Sequence, residues 1–90
     1  MKKLRVLIVG AAFSADLHAD AYSRILDKVE IAGICDKDMA RVRALAARYG
    51  FEGFAEYDDY AAAIAACECD LVDVCMPNFL HRDVAVLALE

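Results

Sequence analysis

The chain has 90 residues, 61% of them hydrophobic, with one proline, few glycines and a formal net charge of −5. That composition describes one small folded domain rather than a disordered segment, near the lower end of what buries a core unaided. The acidic balance excludes a nucleic-acid-binding surface, and no apolar run approaches the roughly 20 residues of a membrane-spanning helix.

Met1-Lys2-Lys3 is basic, but the apolar run behind it, Val6 to Val9, is too short for a secretory leader, so a cytoplasmic chain is expected. Leu4 to Val9 is nearly all apolar, as a strand covered on both faces requires. The run breaks at Gly10 and passes through small residues into helical spacing. Ser14 is the expected N-cap of a helix reaching Lys28, with His18, Ala21, Tyr22, Ile25 and Leu26 on its inner face. Val29 to Cys35 is a second strand. Asp38 caps a helix over Met39 to Tyr49, with Val42, Leu45, Ala46 and Tyr49 facing in and Gly50 ending it. Phe51 to Ala55 is a short third strand. Tyr57-Asp58-Asp59-Tyr60 opens an alanine-rich helix to Cys67, and Leu71 to Met76 is the fourth strand. Pro77-Asn78-Phe79 breaks it, and helical spacing resumes from Leu80 to Glu90. Strands and helices alternate throughout. The pattern predicts an α/β fold, a Rossmann-type doubly wound parallel sheet left incomplete at about four strands, in the order 3-2-1-4.

The turn after the first strand carries the chemistry. Gly10, Ala12 and Ala15 stand on the G-x-G-x-x-G/A spacing of a dinucleotide fingerprint, with alanine where the second glycine would let a pyrophosphate approach. A strand that feeds a tight turn into a helix N-terminus presents free backbone N–H groups and a favourable dipole to an anion. Asp36 ends the second strand, where such folds place the acid that accepts from the adenosine ribose hydroxyls. A carboxylate there repels a 2′-phosphate and favours NAD over NADP, with Lys37 softening the preference. Cys35, Cys67, Cys69 and Cys75 form no C-x-x-C pair and are expected to be reduced structural thiols. Neither a metal cluster nor a nucleophile–base pair is expected, so there is no catalytic residue to assign. Arg5, Arg24 and Lys28 read as solvated charges.

With the stretch Asp73 to His81, DVCMPNFLH, the chain resembles the N-terminal domain of the oxidoreductase family named for glucose–fructose oxidoreductase and inositol dehydrogenase, Gfo/Idh/MocA. The features it shares are the apolar strand, the turn through Gly10, Ala12 and Ala15, His18 three residues on, Asp36, and the P-N-x-x-H segment Pro77 to His81. The likeness spans all of residues 1–90 and departs from the family pattern at Ala12. It implies that Gly10, Phe13, Ser14 and Ala15 line the pyrophosphate and that Asp36 meets the ribose. Met76, Pro77, Asn78 and His81 would then sit near the nicotinamide. Packing is the favoured role for His18. In the family a catalytic lysine follows in a Glu-Lys-Pro segment, and a second domain binds substrate.

The resulting expectation is the NAD-binding portion of an oxidoreductase that transfers hydride between a nicotinamide cofactor and a sugar- or polyol-like carbinol. It is truncated before its catalytic residue and inactive alone. The rivals are a non-catalytic nucleotide-binding or sensor module and an isolated folding or assembly fragment. Because no fifth strand follows the fourth, a homodimer formed around the fourth-strand edge is also expected.

Overall fold

A computed structural model of the chain describes residues 2–75. The expectations for Met76, Pro77, Asn78, His81 and the last helix lie outside those residues. The described elements are β1 (Leu4–Val9), α1 (Phe13–Ser23), β2 (Val29–Cys35), α2 (Met39–Tyr49), β3 (Ala55–Tyr57), α3 (Tyr60–Ala66) and β4 (Leu71–Val74). They build one four-stranded sheet, order β3-β2-β1-β4, in which every pairing is parallel. This is the expected α/β architecture and strand order.

β1 lies in the middle, and Val6, Leu7, Ile8 and Val9 are fully buried. Alternation along a strand sends Val6 and Ile8 to one face and Leu7 and Val9 to the other. The first face packs Ala15 and Ala19 of α1 and Val42, Leu45 and Ala46 of α2. The second packs Ala63 of α3, with Tyr57, Ile64 and Val72 at its margin. A right-handed crossover at each parallel connection puts α1 and α2 on the same side and α3 opposite.

α2 matches its expected bounds. The Asp38 carboxylate accepts from the Ala40 N–H at 3.0 Å, and Gly50 closes the helix at φ 71°. α1 departs from expectation. It begins at Phe13 with Ala12 at the N-cap, so Ser14 lies inside the helix rather than capping it. It ends at Ser23, not Lys28, because Lys28 and Val29 both turn back to the Ile25 carbonyl so that β2 can start opposite Leu4. Strand register overrides helical spacing there. The buried stripe is Ala15 and Ala19, with Tyr22 beside it, while Ile25 and Leu26 stay partly exposed. Phe51 does not start a strand. Its N–H returns to the Ala46 carbonyl, and Gly53 at φ 71° delays β3 until Ala55. Among the described residues the fourth strand spans Leu71–Val74. Arg5, read as a solvated charge, instead bonds the Glu68 carbonyl at 2.8 Å and Glu30 at 2.6 Å. It ties the starts of three strands together.

Candidate functional site

The glycine turn sits at the carboxyl end of β1, at the centre of the sheet. Gly10 has φ 96°, a conformation that costs a residue with a Cβ far more than it costs glycine. The Gly10 N–H bonds to the Cys35 carbonyl at 2.6 Å, and the next amide, Ala11, donates to Asp36 Oδ2 at 2.9 Å. Asp36 Oδ1 accepts from the Asp38 N–H at 2.8 Å. Asp36 is the one charged residue among the described ones to be buried, at 7% exposure. Turn and acid, 26 positions apart in the sequence, are therefore one unit. An ionised carboxylate offers about four lone-pair sites, so two backbone bonds leave room for two hydroxyl donors.

α1 starts immediately beyond the turn. Its N-cap, Ala12, supplies no side-chain acceptor, so the amides of the first helical turn are uncapped by any side chain. These are the groups that hold a phosphate in folds of this type. The acid in that turn, Asp16, would oppose an anion. Its carboxylate bonds Arg48, and the Tyr49 hydroxyl at 3.0 Å, both from α2. The Arg48 guanidinium holds the Asp16 carboxyl below its ordinary value, against a smaller opposing effect of burial. A cleft of about 290 Å³ opens between α1 and α2 beside Ala11 and Ala12, with Arg41 and Arg48 in its wall. Lys37 reaches the other way, its ammonium 5.9 Å from the centre of the Tyr60 ring. A further cleft of about 210 Å³, between Leu26, Val29 and Phe51, lies at the opposite ends of the strands. Ligands of open α/β sheets bind at the carboxyl ends.

The fold thus brings the Gly10–Ala11 turn against Asp36, with Ala12 at the N-cap and Phe13, Ser14 and Ala15 in the first turn of α1. Ala15 is fully buried, so it contributes its backbone and its small size rather than a side chain. Small side chains there let the helix lie close to β1.

Sequence reasoning missed a second constellation. His18 and Tyr22, one helical turn apart on α1, both reach Asp73 on β4. His18 Nδ1 and the Tyr22 hydroxyl each stand 2.6 Å from Asp73 Oδ2. The Cys75 sulfur is 3.4 Å from His18 Nδ1. His18 therefore joins a polar group rather than an apolar face. Burial, then the hydrogen bond to Asp73, pushes the Tyr22 hydroxyl pKa up. Burial, then the Asp73 charge, pushes the Cys75 thiol up to about 12. Burial likewise takes Cys35 up to about 12, and all four cysteines are free thiols. The available signal was the i, i+4 spacing of His18 and Tyr22 together with a carboxylate inside an otherwise apolar strand.

Comparison with known proteins agrees with this geometry. A profile of the oxidoreductase family GFO_IDH_MocA, NAD-binding Rossmann fold, matches residues 4–90. The chain is 39% identical over 88 residues to D-glucoside 3-dehydrogenase of Escherichia coli, covering 97% of this chain and 24% of that protein. It is 32% identical over 90 residues to D-apiose dehydrogenase of Paraburkholderia graminis, covering 100% and 23%. Among solved structures, an oxidoreductase from Agrobacterium radiobacter in complex with NAD+, L-tartaric acid and magnesium superposes with a TM-score of 0.83. It shares 29% identity, over 97% of this chain and 25% of that one. Myo-inositol dehydrogenase from Lactobacillus casei, in complex with NAD(H) and myo-inositol, has the same fold at a TM-score of 0.87 and 19% identity, over 98% and 26%. The chain spans about a quarter of the length of these relatives. Fold, glycine turn, buried acid and profile agree: the chain belongs to the GFO_IDH_MocA oxidoreductase family and carries its NAD-binding Rossmann fold.

Proposed function

We propose that this chain is the cofactor-binding part of an NAD-dependent dehydrogenase that acts on a secondary carbinol of a sugar or polyol. The observation that carries the reading is the Asp36 carboxylate fastened to the Ala11 amide at the glycine turn. That bond sets a carboxylate with room for further donors beside a helix start whose amides no side chain caps, which supports the reading. Bound there, the nicotinamide cofactor would supply the hydride acceptor, and the chain's task is orientation. Gly10, Ala12, Phe13, Ser14 and Ala15 would take the pyrophosphate on backbone amides. Asp36 would accept from the adenosine ribose hydroxyls and disfavour a 2′-phosphate, which makes NAD the preferred form. Met76, Pro77, Asn78 and His81 follow β4 in sequence and would belong to the nicotinamide half. The sugar or polyol class follows from relatives named as glucoside, apiose and inositol dehydrogenases. A cytoplasmic location suits a reduced-thiol chain that needs a soluble cofactor. Residues 1–90 would act as one cofactor-binding domain, with substrate binding and proton transfer supplied elsewhere in a protein of the relatives' length.

Arg41, in the wall of the cleft beside Ala12, favours a second reading in which NADP also binds. Titration calorimetry with both cofactors separates the two. NAD should bind measurably and NADP more weakly. Asp36→Ala should weaken NAD by about 1–3 kcal/mol, the scale of a lost charge-assisted hydrogen bond. Equal NAD affinity in folded wild type and variant would remove Asp36 from the site. Tighter binding of NADP would transfer the specificity to Arg41.

A further inference from the structure

We propose that His18, Asp73 and Cys75 form a binding site for a borderline-soft divalent metal of the zinc type, with the Tyr22 hydroxyl orienting Asp73 from outside. Among the described residues these three bring one nitrogen, one oxygen and one sulfur donor within 4.8 Å of one another. His18 Nδ1 lies 2.6 Å from Asp73 Oδ2 and 3.4 Å from Cys75 Sγ, and that sulfur is 3.5 Å from Asp73 Oδ1. A tetrahedral zinc with bonds of about 2.0–2.3 Å spaces its donors roughly 3.3–3.6 Å apart. With Asp73 ligating through Oδ1, both sulfur distances meet that spacing, and Oδ2 stays with the Tyr22 hydroxyl. The His18 ring, whose Nδ1 now bonds Oδ2, must turn toward the metal position, and it is half-exposed.

A ring nitrogen has one in-plane position, holding either a proton or a lone pair. If Nδ1–H donates to Asp73, it has nothing left for the thiol. The thiol proton then goes to Asp73 Oδ1, at 3.5 Å. One cation at the centre would satisfy all three donors at once. The thiol proton, and the Nδ1 proton where that tautomer is present, would leave to solvent without any change of oxidation state.

The surroundings are those of a built metal site. The Tyr22 hydroxyl bonds Asp73 Oδ2 at 2.6 Å, the outer partner that fixes the orientation of a ligating carboxylate. The ligands come from two elements held at fixed separation, because Ala15 and Ala19 seat α1 directly on the sheet. Cys75 is buried and Asp73 nearly so, while His18 opens to solvent. That opening gives a metal its way in and leaves a fourth position for water. A mixed nitrogen–oxygen–sulfur set selects zinc or cobalt over magnesium and calcium, which take oxygen ligands. None of these residues belongs to the proposed cofactor site, so the two readings stand or fall separately.

Cobalt(II) provides the test. Reduced, metal-free chain titrated with cobalt chloride should develop a thiolate-to-cobalt charge-transfer band and tetrahedral visible absorption at one equivalent. Zinc should bleach both, and excess magnesium neither. Cys75→Ser should abolish the charge-transfer band. His18→Ala, at a half-exposed position that spares the core, should weaken cobalt binding at least tenfold. The double change Cys67→Ser, Cys69→Ser should leave the spectrum intact. Absence of the band in wild type overturns the proposal. So does a band that survives in Cys75→Ser, or cobalt affinity unaltered in folded His18→Ala.

Discussion

Asp36 shows how one side chain ties two loops together where a ligand is proposed. Its two oxygens close the end of β2 onto the glycine turn and the start of α2. Ala12, one residue past the amide that bonds Asp36, adds one methyl group where the fingerprint has glycine. If that methyl crowds the pyrophosphate, Ala12→Gly should tighten NAD binding in calorimetry. Unaltered affinity would place the pyrophosphate away from Ala12. Gly33 makes a different demand. A Cβ built there would stand 2.9 Å from the Tyr57 ring, 3.1 Å from Cys67 Sγ and 3.1 Å from Leu7 Cδ1. Gly33→Val should therefore destabilise the chain by about 1–3 kcal/mol through overpacking. An unshifted urea midpoint would mean that Tyr57 moves aside without cost.

At the scale of elements, α1 begins directly at the glycine turn, yet its buried side chains are alanines. Polar ties at its edges complete its attachment: Asp16 to Arg48 and Tyr49 on one side, His18 and Tyr22 to Asp73 on the other. The first tie carries a pH dependence of definite sign. The folded-state pKa of Asp16 lies below its ordinary 3.8, chiefly through Arg48. Its contribution to stability is therefore complete above that ordinary value and is lost as pH falls through the folded value. Urea midpoints from neutral pH into acid should fall less steeply in Asp16→Asn than in wild type. Parallel acid limbs would assign the acid sensitivity to other carboxylates.

At the scale of the whole molecule, we propose that residues 1–90 taken by themselves associate through β4. β4 is the outermost strand beside β1 among the described residues, and Leu71 is 41% exposed while Val72 and Val74 are half-buried. An apolar strand at the margin of a sheet is a template for another strand. The expected outcome is a homodimer formed around β4, seen as doubled mass in light scattering at micromolar concentration and disrupted by Val74→Lys. A stably folded monomer at high micromolar concentration would overturn it.

Much of this was legible in the chain itself. Alternating apolar runs and helical periods determined the α/β class, and the nearly unbroken Val6–Val9 and Val29–Cys35 determined strands buried on both faces. Asp38 and Gly50 determined α2, because capping is local chemistry between neighbours. The spacing of Gly10, Ala12 and Ala15, with an acid at the end of β2, pointed to the turn and the carboxylate that the fold brings together. Contacts between distant segments were not legible. The early end of α1 follows from the register of Leu4 with Val29, and the late start of β3 from the fold-back at Phe51 and Gly53. His18, Tyr22, Asp73 and Cys75 meet only because a parallel sheet sets β4 beside β1 under α1. Periodicity reports which face of a segment is buried. Which side chains meet on that face is decided by the packing of segments far apart in sequence.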